Sequence, residues 1–493
     1  MFNYKKVFIL FSLFFLTFSV YSLKFKIKNK DATDDIITIE SIFDTGFSAQ
    51  AVADGLGVTD YESFFFKPAF HIEDFGIGLV FDFRFRLFTG DITFRSEDWY
   101  IQGDALNSFL LYIDKIDYIK YGDFVSPIYL HTGKNPVLTL GTGFLVNNFH
   151  NHAFLPTSRE NGFVFKFNGN YLQKYKATNI PVDLTFVVND LLDPDIFLLD
   201  LGTDVMQFTK FKDKDLFTFR VGQIAAVDIN TTEANRLSSL SGDEEDITSH
   251  RNLTTSTDNL YTSFPLFLSY YGDFTWKHKL VKVKGFAEST FLLDIKPASD
   301  FNFGFGIKLG SEARFVNLEK SGYLVGIHAG VLLDSPHYSL NYFSSNYEVV
   351  RTKQYLGLKP VTDADYTFYV MGGFGLYAFF EKIKFNLTFY IPIKTQLYLK
   401  FSSSFILEDT LVKGLYAGVY YETGVNPASV YGWELLTNDF RFSVEAGYKF
   451  YGAKLAVLIG IQRPAWVVSD YSNSETYSRE LERFVSLHIS FVL

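Results

Sequence analysis

Residues Val485 to Leu493 read Val-Ser-Leu-His-Ile-Ser-Phe-Val-Leu. Val485, Leu487, Ile489, Phe491 and Leu493 are apolar, and Ser486, His488 and Ser490 stand between them. Successive side chains on a strand point to opposite faces, so this alternation predicts a strand with one apolar and one wet face, running to the end of the chain. Working back from it, Phe75 to Leu87 repeats the pattern over a longer run. Phe75, Ile77, Leu79, Phe81, Phe83, Phe85 and Leu87 fall on one face and Gly76, Gly78, Asp82, Arg84 and Arg86 on the other. Soluble strands average about five to six residues, whereas this alternation is long enough to cross a hydrocarbon layer at a barrel's tilt. Two arginines opposite a phenylalanine wall also require water on their own side.

The same reading applies along most of the chain. Phe301, Phe303, Phe305, Ile307 and Leu309 oppose Asn302, Gly304, Gly306, Lys308 and Gly310, and Glu312 and Arg314 continue the polar row. Phe440, Phe442, Val444, Ala446, Tyr448 and Phe450 oppose Arg441, Ser443, Glu445, Gly447 and Lys449. Alternation is also present in Val182 to Val188, Tyr323 to Val331, Tyr366 to Phe380, Ile383 to Ile391 and Leu415 to Tyr421. The pattern predicts that Phe81, Phe83, Phe303, Phe305, Phe442 and Leu487 face lipid. It assigns Asp82, Arg84, Arg86, Lys308, Glu312, Arg314, Lys384, Arg441, Glu445 and Lys449 to a water-filled interior. About 14 to 18 spanning strands are expected, in an even number. Glu381-Lys382 and Gly452-Ala453 read as tight turns at one end, and Asp228 to Leu260, with its Gly-Asp-Glu-Glu-Asp run and no aromatic residue, as a long acidic loop at the other. Asp334 to Asp365 and Thr423 to Asp439 read as further outer loops.

Composition bounds the alternatives. Aromatic residues make up 18% of the 493, with 56 Phe and 31 Tyr, a usage that favours strands and membrane interfaces. There is no cysteine, which excludes disulfides, thiolate metal sites, cysteine nucleophiles and a lipidated cysteine. A net charge of −10 argues against nucleic-acid binding, which needs a basic surface. The mean hydropathy of +0.07 is too low for a helical membrane protein and suits a barrel, in which every second strand residue meets lipid. At the amino terminus Lys5 and Lys6, the apolar stretch Val7 to Val20, and the small Ser22 predict a signal peptide over residues 1–22 and a barrel over 23–493.

One region departs from alternation. Leu106, Phe109, Leu110, Ile113 and Ile116 follow helical spacing behind a capping Asp104, predicting a helix over Asp104 to Ile116. Lys134 to Asn161, rich in Gly, Asn and His, reads as irregular chain. Together 104–161 form a candidate plug folded into the lumen, and a surface loop is the alternative.

No catalytic constellation emerges. His150 and His152, with Glu160 nearby, lack a third defined ligand, and Ser126, Ser158 and His488 lack a nucleophile motif. No metal site, cofactor or enzyme activity is expected. The glycine pairs at Gly76, Gly141, Gly304 and Gly306 lack the strand-to-helix turn of a phosphate cradle and are read as room for bulky inner-wall neighbours.

In its amino-terminal signal, strand pattern and carboxy-terminal segment the chain resembles porin-like outer-membrane β-barrels of diderm bacteria, and its Phe-, Lys- and Asn-rich style is similar to that of spirochaetes. Leu487, Ile489, Phe491 and Leu493 match the family's insertion signal, with Leu493 in place of the terminal aromatic. The resemblance implies an all-β, antiparallel up-and-down barrel in the outer membrane, inserted into its lipid by the barrel assembly machinery. It implies a channel for small solutes, with a fatty-acid-type transporter and a surface adhesin or structural barrel as alternatives.

Overall fold

The computed structural model describes residues 26–28, 36–54, 57–86, 93–94, 99–100, 105–113, 115–151, 161–169, 182–191, 194–211, 215–229, 264–278, 281–295, 301–315, 324–335, 338, 342–344, 367–378, 382–393, 400–408, 413–423, 440–450, 453–462, 466–468, 477–479 and 482–492. The expected signal peptide, nearly all of the acidic loop after Asp228, and the loop after Thr423 lie outside these residues.

Strands dominate. β1 (Lys26–Lys28) pairs along the start of β2 (Ile36–Asp54), and from β2 the ladders run through β3 (Gly57–Ile72) to β4 (Phe75–Leu79) and β5 (Phe81–Arg86), which together fill one position. The next position is shared by β6 (Thr93–Phe94), paired with β5, and β7 (Ile116–Tyr121), paired with β4. Then follow β8 (Ile128–Gly133), β10 (Gly162–Asn168), β11 (Val182–Val188), β12 (Ile196–Phe211), β13 (Asp215–Asp228), β14 (Phe264–Lys277), β15 (Lys282–Ile295), β16 (Phe301–Arg314) and β17 (Leu324–Asp334). The wall continues through β19 (Thr367–Ala378), β20 (Ile383–Pro392), β21 (Lys400–Glu408), β22 (Leu415–Thr423), β23 (Phe440–Phe450), β24 (Ala453–Gln462) and β27 (Glu482–Val492). β27 then pairs with β2, so the sheet closes on itself. The small strands β9 (Val146–Asn147) and β18 (Phe343–Ser344) pair with each other away from the wall, and β25 (Trp466–Val468) and β26 (Tyr477–Arg479) form a separate hairpin.

Every wall ladder is antiparallel, including the closing one. Such a ring has no edge strand and returns to its start only with an even number of positions. The fold is therefore an all-β up-and-down barrel, and no described helix is long and apolar enough to cross a membrane. The ring holds more strands than the 14 to 18 expected. The surplus arises because β7, β8 and β10, short strands around the irregular 104–161 region, belong to the wall. The longest connections, such as residues 134–161, 229–263 and 335–366, lie at one end, and short ones, such as 73–74, 212–214 and 451–452, at the other. Both termini of the ring lie at the short-turn end, since β2 leaves it and β27 returns to it.

Side-chain direction follows from register. Across β13 to β16 the facing residues Arg220, Asp273, Glu288 and Lys308 belong to the inner face, while Tyr270, Phe274, Phe291, Phe303 and Leu309 are exposed on the outer one. Phe303 leaves 54% of its surface exposed, which in water forgoes roughly half of the about 1.5–3 kcal/mol that full burial of such a side chain contributes. A row of them is stable only against hydrocarbon.

Candidate pore constriction

The interior is not empty. Two of the long-end connections enter the ring and bury apolar side chains there. From the connection between β8 and β10 come Leu138, Leu140, Phe144, Leu145, Val146 and Phe149, and from that between β17 and β19 come Tyr338, Tyr342 and Phe343. They pack against inner-wall Ile224, Phe267, Leu292, Leu332 and Met371, among others. β9 and β18 tie the two connections together, and Phe267 holds the Tyr342 and Phe343 rings at 4.6 and 5.5 Å. Lys134 to Asn161 is therefore irregular as its composition indicates, and its described part, to Asn151, is the inward segment. The connection after Asp334, read as an outer loop, contributes to the same core, a correction whose physical basis is the Tyr-Phe pair it carries.

The tip of the first segment turns tightly. Gly141 and Gly143 have φ of 58° and 73°, a region that glycine enters without strain. A Cβ on Gly141 would stand 2.9 Å from Ile224 Cδ1, and one on Gly306 would stand 2.6 Å from Phe144 Cζ. The wall glycine thus leaves the space that Phe144 occupies.

Glu288 on β15 holds this turn. Only 1% of it is exposed. Its Oε2 accepts hydrogen bonds from Thr142 Oγ1 at 2.6 Å and Thr142 N at 2.8 Å, with Phe144 N at 3.4 Å. Its Oε1 accepts from Ser269 Oγ at 2.8 Å and, more weakly, Leu145 N at 3.4 Å. From the neighbouring β16, Lys308 donates through Nζ to Thr142 O at 2.7 Å. An anion and a cation therefore bind the donors and the acceptor of one turn, a charge-assisted latch. Elsewhere Asn151 donates to Gly133 O and Asn189 O and accepts from Asn135 N, pinning the far end of the segment to the wall. Tyr342 donates to Asp228 at 3.0 Å, anchoring the second connection. Burial, and then Asp334, raise the Tyr338 phenol well above its usual pKa, so it stays neutral.

Nearer the short-turn end the inner wall carries both signs of charge. Arg220 donates to Asp183 at 2.8 Å and lies 3.7 Å from Asp204, Tyr271 donates to Asp200 at 2.8 Å, and Lys284 lies 3.4 Å from Asp273. Of the residues assigned to the interior from sequence, Lys308 is buried at the latch and Asp82 is buried on β5. Glu312 pairs with Arg314 on one strand, and Lys384 and Glu445 lie half-buried on β20 and β23. The side chains of Arg84, Arg86, Arg441 and Lys449, and of Leu487, Ile489, Phe491 and Leu493, lie outside the described residues, although β27 is paired on both sides. Helix α1 (Ala105–Ile113) forms where helical spacing predicts it, with Phe109 60% and Tyr112 56% exposed. Glu288, Ser269 and Thr142, central to the latch, were not singled out by sequence. Among the described residues no cluster of metal-ligating side chains occurs, and His150 is buried beside Asn151.

No family model and no curated protein matches this chain. Solved structures do. The outer membrane protein opdK of Pseudomonas aeruginosa is 10% identical with a TM-score of 0.31, covering 92% of this chain and 98% of its own. OccAB1 of Acinetobacter baumannii is 9% identical with a TM-score of 0.34, covering 96% and 100%. OmpT of Vibrio cholerae is 7% identical with a TM-score of 0.30, covering 94% and 99%. At TM-scores of this size the likeness carries no argument about activity.

Proposed function

We propose that the chain is an outer-membrane channel for small solutes whose bore is narrowed by its own inward-folded connections. The observation that supports this most is the latch: Glu288 and Lys308 leave the wall to seize one turn of a connection that begins and ends at the rim. A barrel that served only as scaffold has no need to hold a loop across its interior. The apolar side chains inside the ring are taken up by one another, which favours a constriction over a binding pocket for a fatty-acid-type solute. Mixed charge on the wall makes the remaining path weakly selective.

Residues 1–22 as a cleaved signal, the carboxy-terminal strand as the assembly-machinery signal, the acidic loop 228–260 outside the cell and the outer membrane as destination belong to the same proposal. The closed sheet, the apolar outer face and the short-turn position of both termini support it. The test is swelling of vesicles reconstituted with the purified protein in iso-osmotic small neutral sugars. Swelling that declines with solute size supports a channel. Vesicles as tight as protein-free controls refute it and favour the adhesin or structural alternative.

A further inference from the structure

We propose that the inner wall is charged in two zones, acidic at the long-loop end and basic at the short-turn end, and that the pore therefore rectifies, passing more current when the long-loop side is positive. This rests on the channel reading above. The zones follow from register on the arc β13 to β17. The inward row of β15 begins at the short-turn end with Lys282 and Lys284 and ends, past Glu288, with Asp294. That of β13 ends at the long-loop end with Asp228 and that of β17 with Asp334, and all three aspartates are buried. Among the described residues of these five strands, no lysine or arginine lies on the inner rows between the Glu288 and Lys308 latch and the long-loop end. The short-turn end is the reverse. Lys277 ends β14 opposite Lys282, and Lys282 stands opposite Arg314 on β16. Arg220 is held by Asp183 and Asp204, Lys284 lies beside Asp273, and Arg314 pairs with Glu312, so Lys277 and Lys282 are the surplus positive charge. Across the ring the β23–β24 hairpin repeats the register, with Lys449 opposite Lys454 beside a short turn.

Distance decides whether the two zones act separately. Lys282 and Asp294 stand twelve positions apart on one strand. That is about 40 Å of chain at about 3.4 Å per residue, or about 30 Å along the axis at a barrel's tilt of about 35–45°. The screening length is about 10 Å in 0.1 M salt and about 3 Å in 1 M. In 0.1 M salt the zones thus lie about three screening lengths apart and do not cancel, while each reaches across a bore narrowed from within. Cations concentrate in the acidic zone and anions in the basic one. With the long-loop side positive, each ion enters through the zone that attracts it, and both accumulate between the zones. With the opposite polarity each ion first meets the zone that repels it, and the middle of the pore is depleted. The pore is then weakly selective between the signs of charge but directional in current.

The experiment is the current–voltage curve of single refolded barrels in planar bilayers, in 0.1 M and in 1 M KCl. Because the chain has no cysteine, Asp74→Cys in the exposed 73–74 turn supplies a single thiol. The chamber from which a polyethylene-glycol maleimide alters the current then identifies the short-turn side. In 0.1 M KCl the current at about 100 mV should be about twofold larger with the long-loop side positive than with it negative, and the ratio should fall to about one in 1 M KCl. Lys277→Gln with Lys282→Gln should bring the ratio in 0.1 M KCl close to one. Lys277→Glu with Lys282→Glu should also shift the reversal potential in a KCl gradient toward cation selectivity. The salt comparison needs no lysine variant, so it stands if the variants do not fold. Equal currents at both polarities in 0.1 M KCl, or a larger current with the long-loop side negative, overturn the proposal. Asymmetry that persists in 1 M KCl overturns it too, pointing to a moving connection in place of fixed charge. Asymmetry unchanged in both folded lysine variants also overturns it, because the basic zone is then not its source. A barrel that inserts but conducts at neither polarity overturns the channel reading itself.

Discussion

Replacing Glu288 by alanine removes the acceptor at the centre of the latch. Three contacts at 2.6–2.8 Å, from Thr142 Oγ1, Thr142 N and Ser269 Oγ, are lost, with two weaker ones at 3.4 Å. Hydrogen bonds to a charged group contribute about 1.5–3 kcal/mol each, and they are not additive, so the loss in holding the turn is about 3–5 kcal/mol. Packing opposes release. Phe144, Leu145, Val146 and Phe149 are fully buried, and at about 1.5–3 kcal/mol for each side chain they retain more than the latch supplied. The segment should therefore stay inside while its tip, Gly141 to Gly143, moves. In single-channel recordings Glu288→Ala should raise open-state current noise severalfold with a modest rise in mean conductance, and Glu288→Gln should show a smaller effect because it keeps an acceptor. A variant as quiet as the parent would refute the latch, and a variant conducting like a deletion would refute the estimate that packing outweighs it.

Phe144→Ala, which empties a fully buried site packed at Gly306, should loosen the inward segment by about 3–5 kcal/mol and accelerate proteolysis within 138–149 in the folded barrel. Gly306→Leu should displace the Phe144 ring by filling its space, giving the same proteolytic signature without deleting a contact residue. Phe303→Arg, on the outer face of β16, should lower the yield of folded barrel in vesicles through a penalty of about 2–4 kcal/mol, whereas Glu312→Gln on the inner face should fold at parental yield. Equal tolerance of the two would reverse the facial assignment. Protease added to intact cells should cut within 228–260, because an acidic, Ser-, Thr- and Asn-rich loop with no aromatic residue and few aliphatic ones stays solvated, and cleavage only after lysis would invert the orientation.

The wall was legible in the sequence because alternation is a local signal: Phe301 to Arg314 assigns both faces without reference to any other strand. The irregular segment was legible in its departure from alternation, but whether it folds inward or lies on the surface was not, because that depends on contacts with distant wall strands. Its partners were not. Glu288 reads as one more polar residue on an inner row, and it meets Thr142 across 146 positions, a distance that no pattern spans. Helix α1 shows the opposite failure. Helical spacing predicts that Phe109 shares a face with other apolar residues, but spacing carries no information on whether another part of the chain covers that face, and Phe109 is left exposed.

The central claim is that a closed barrel conducts through a bore narrowed from within, and single-channel conductance of the refolded protein with and without Leu140 to Pro156 tests it most directly. The account predicts a measurable pore in the parent and a larger conductance in the deletion, both inserting equally well. A barrel that inserts but conducts in neither form contradicts it.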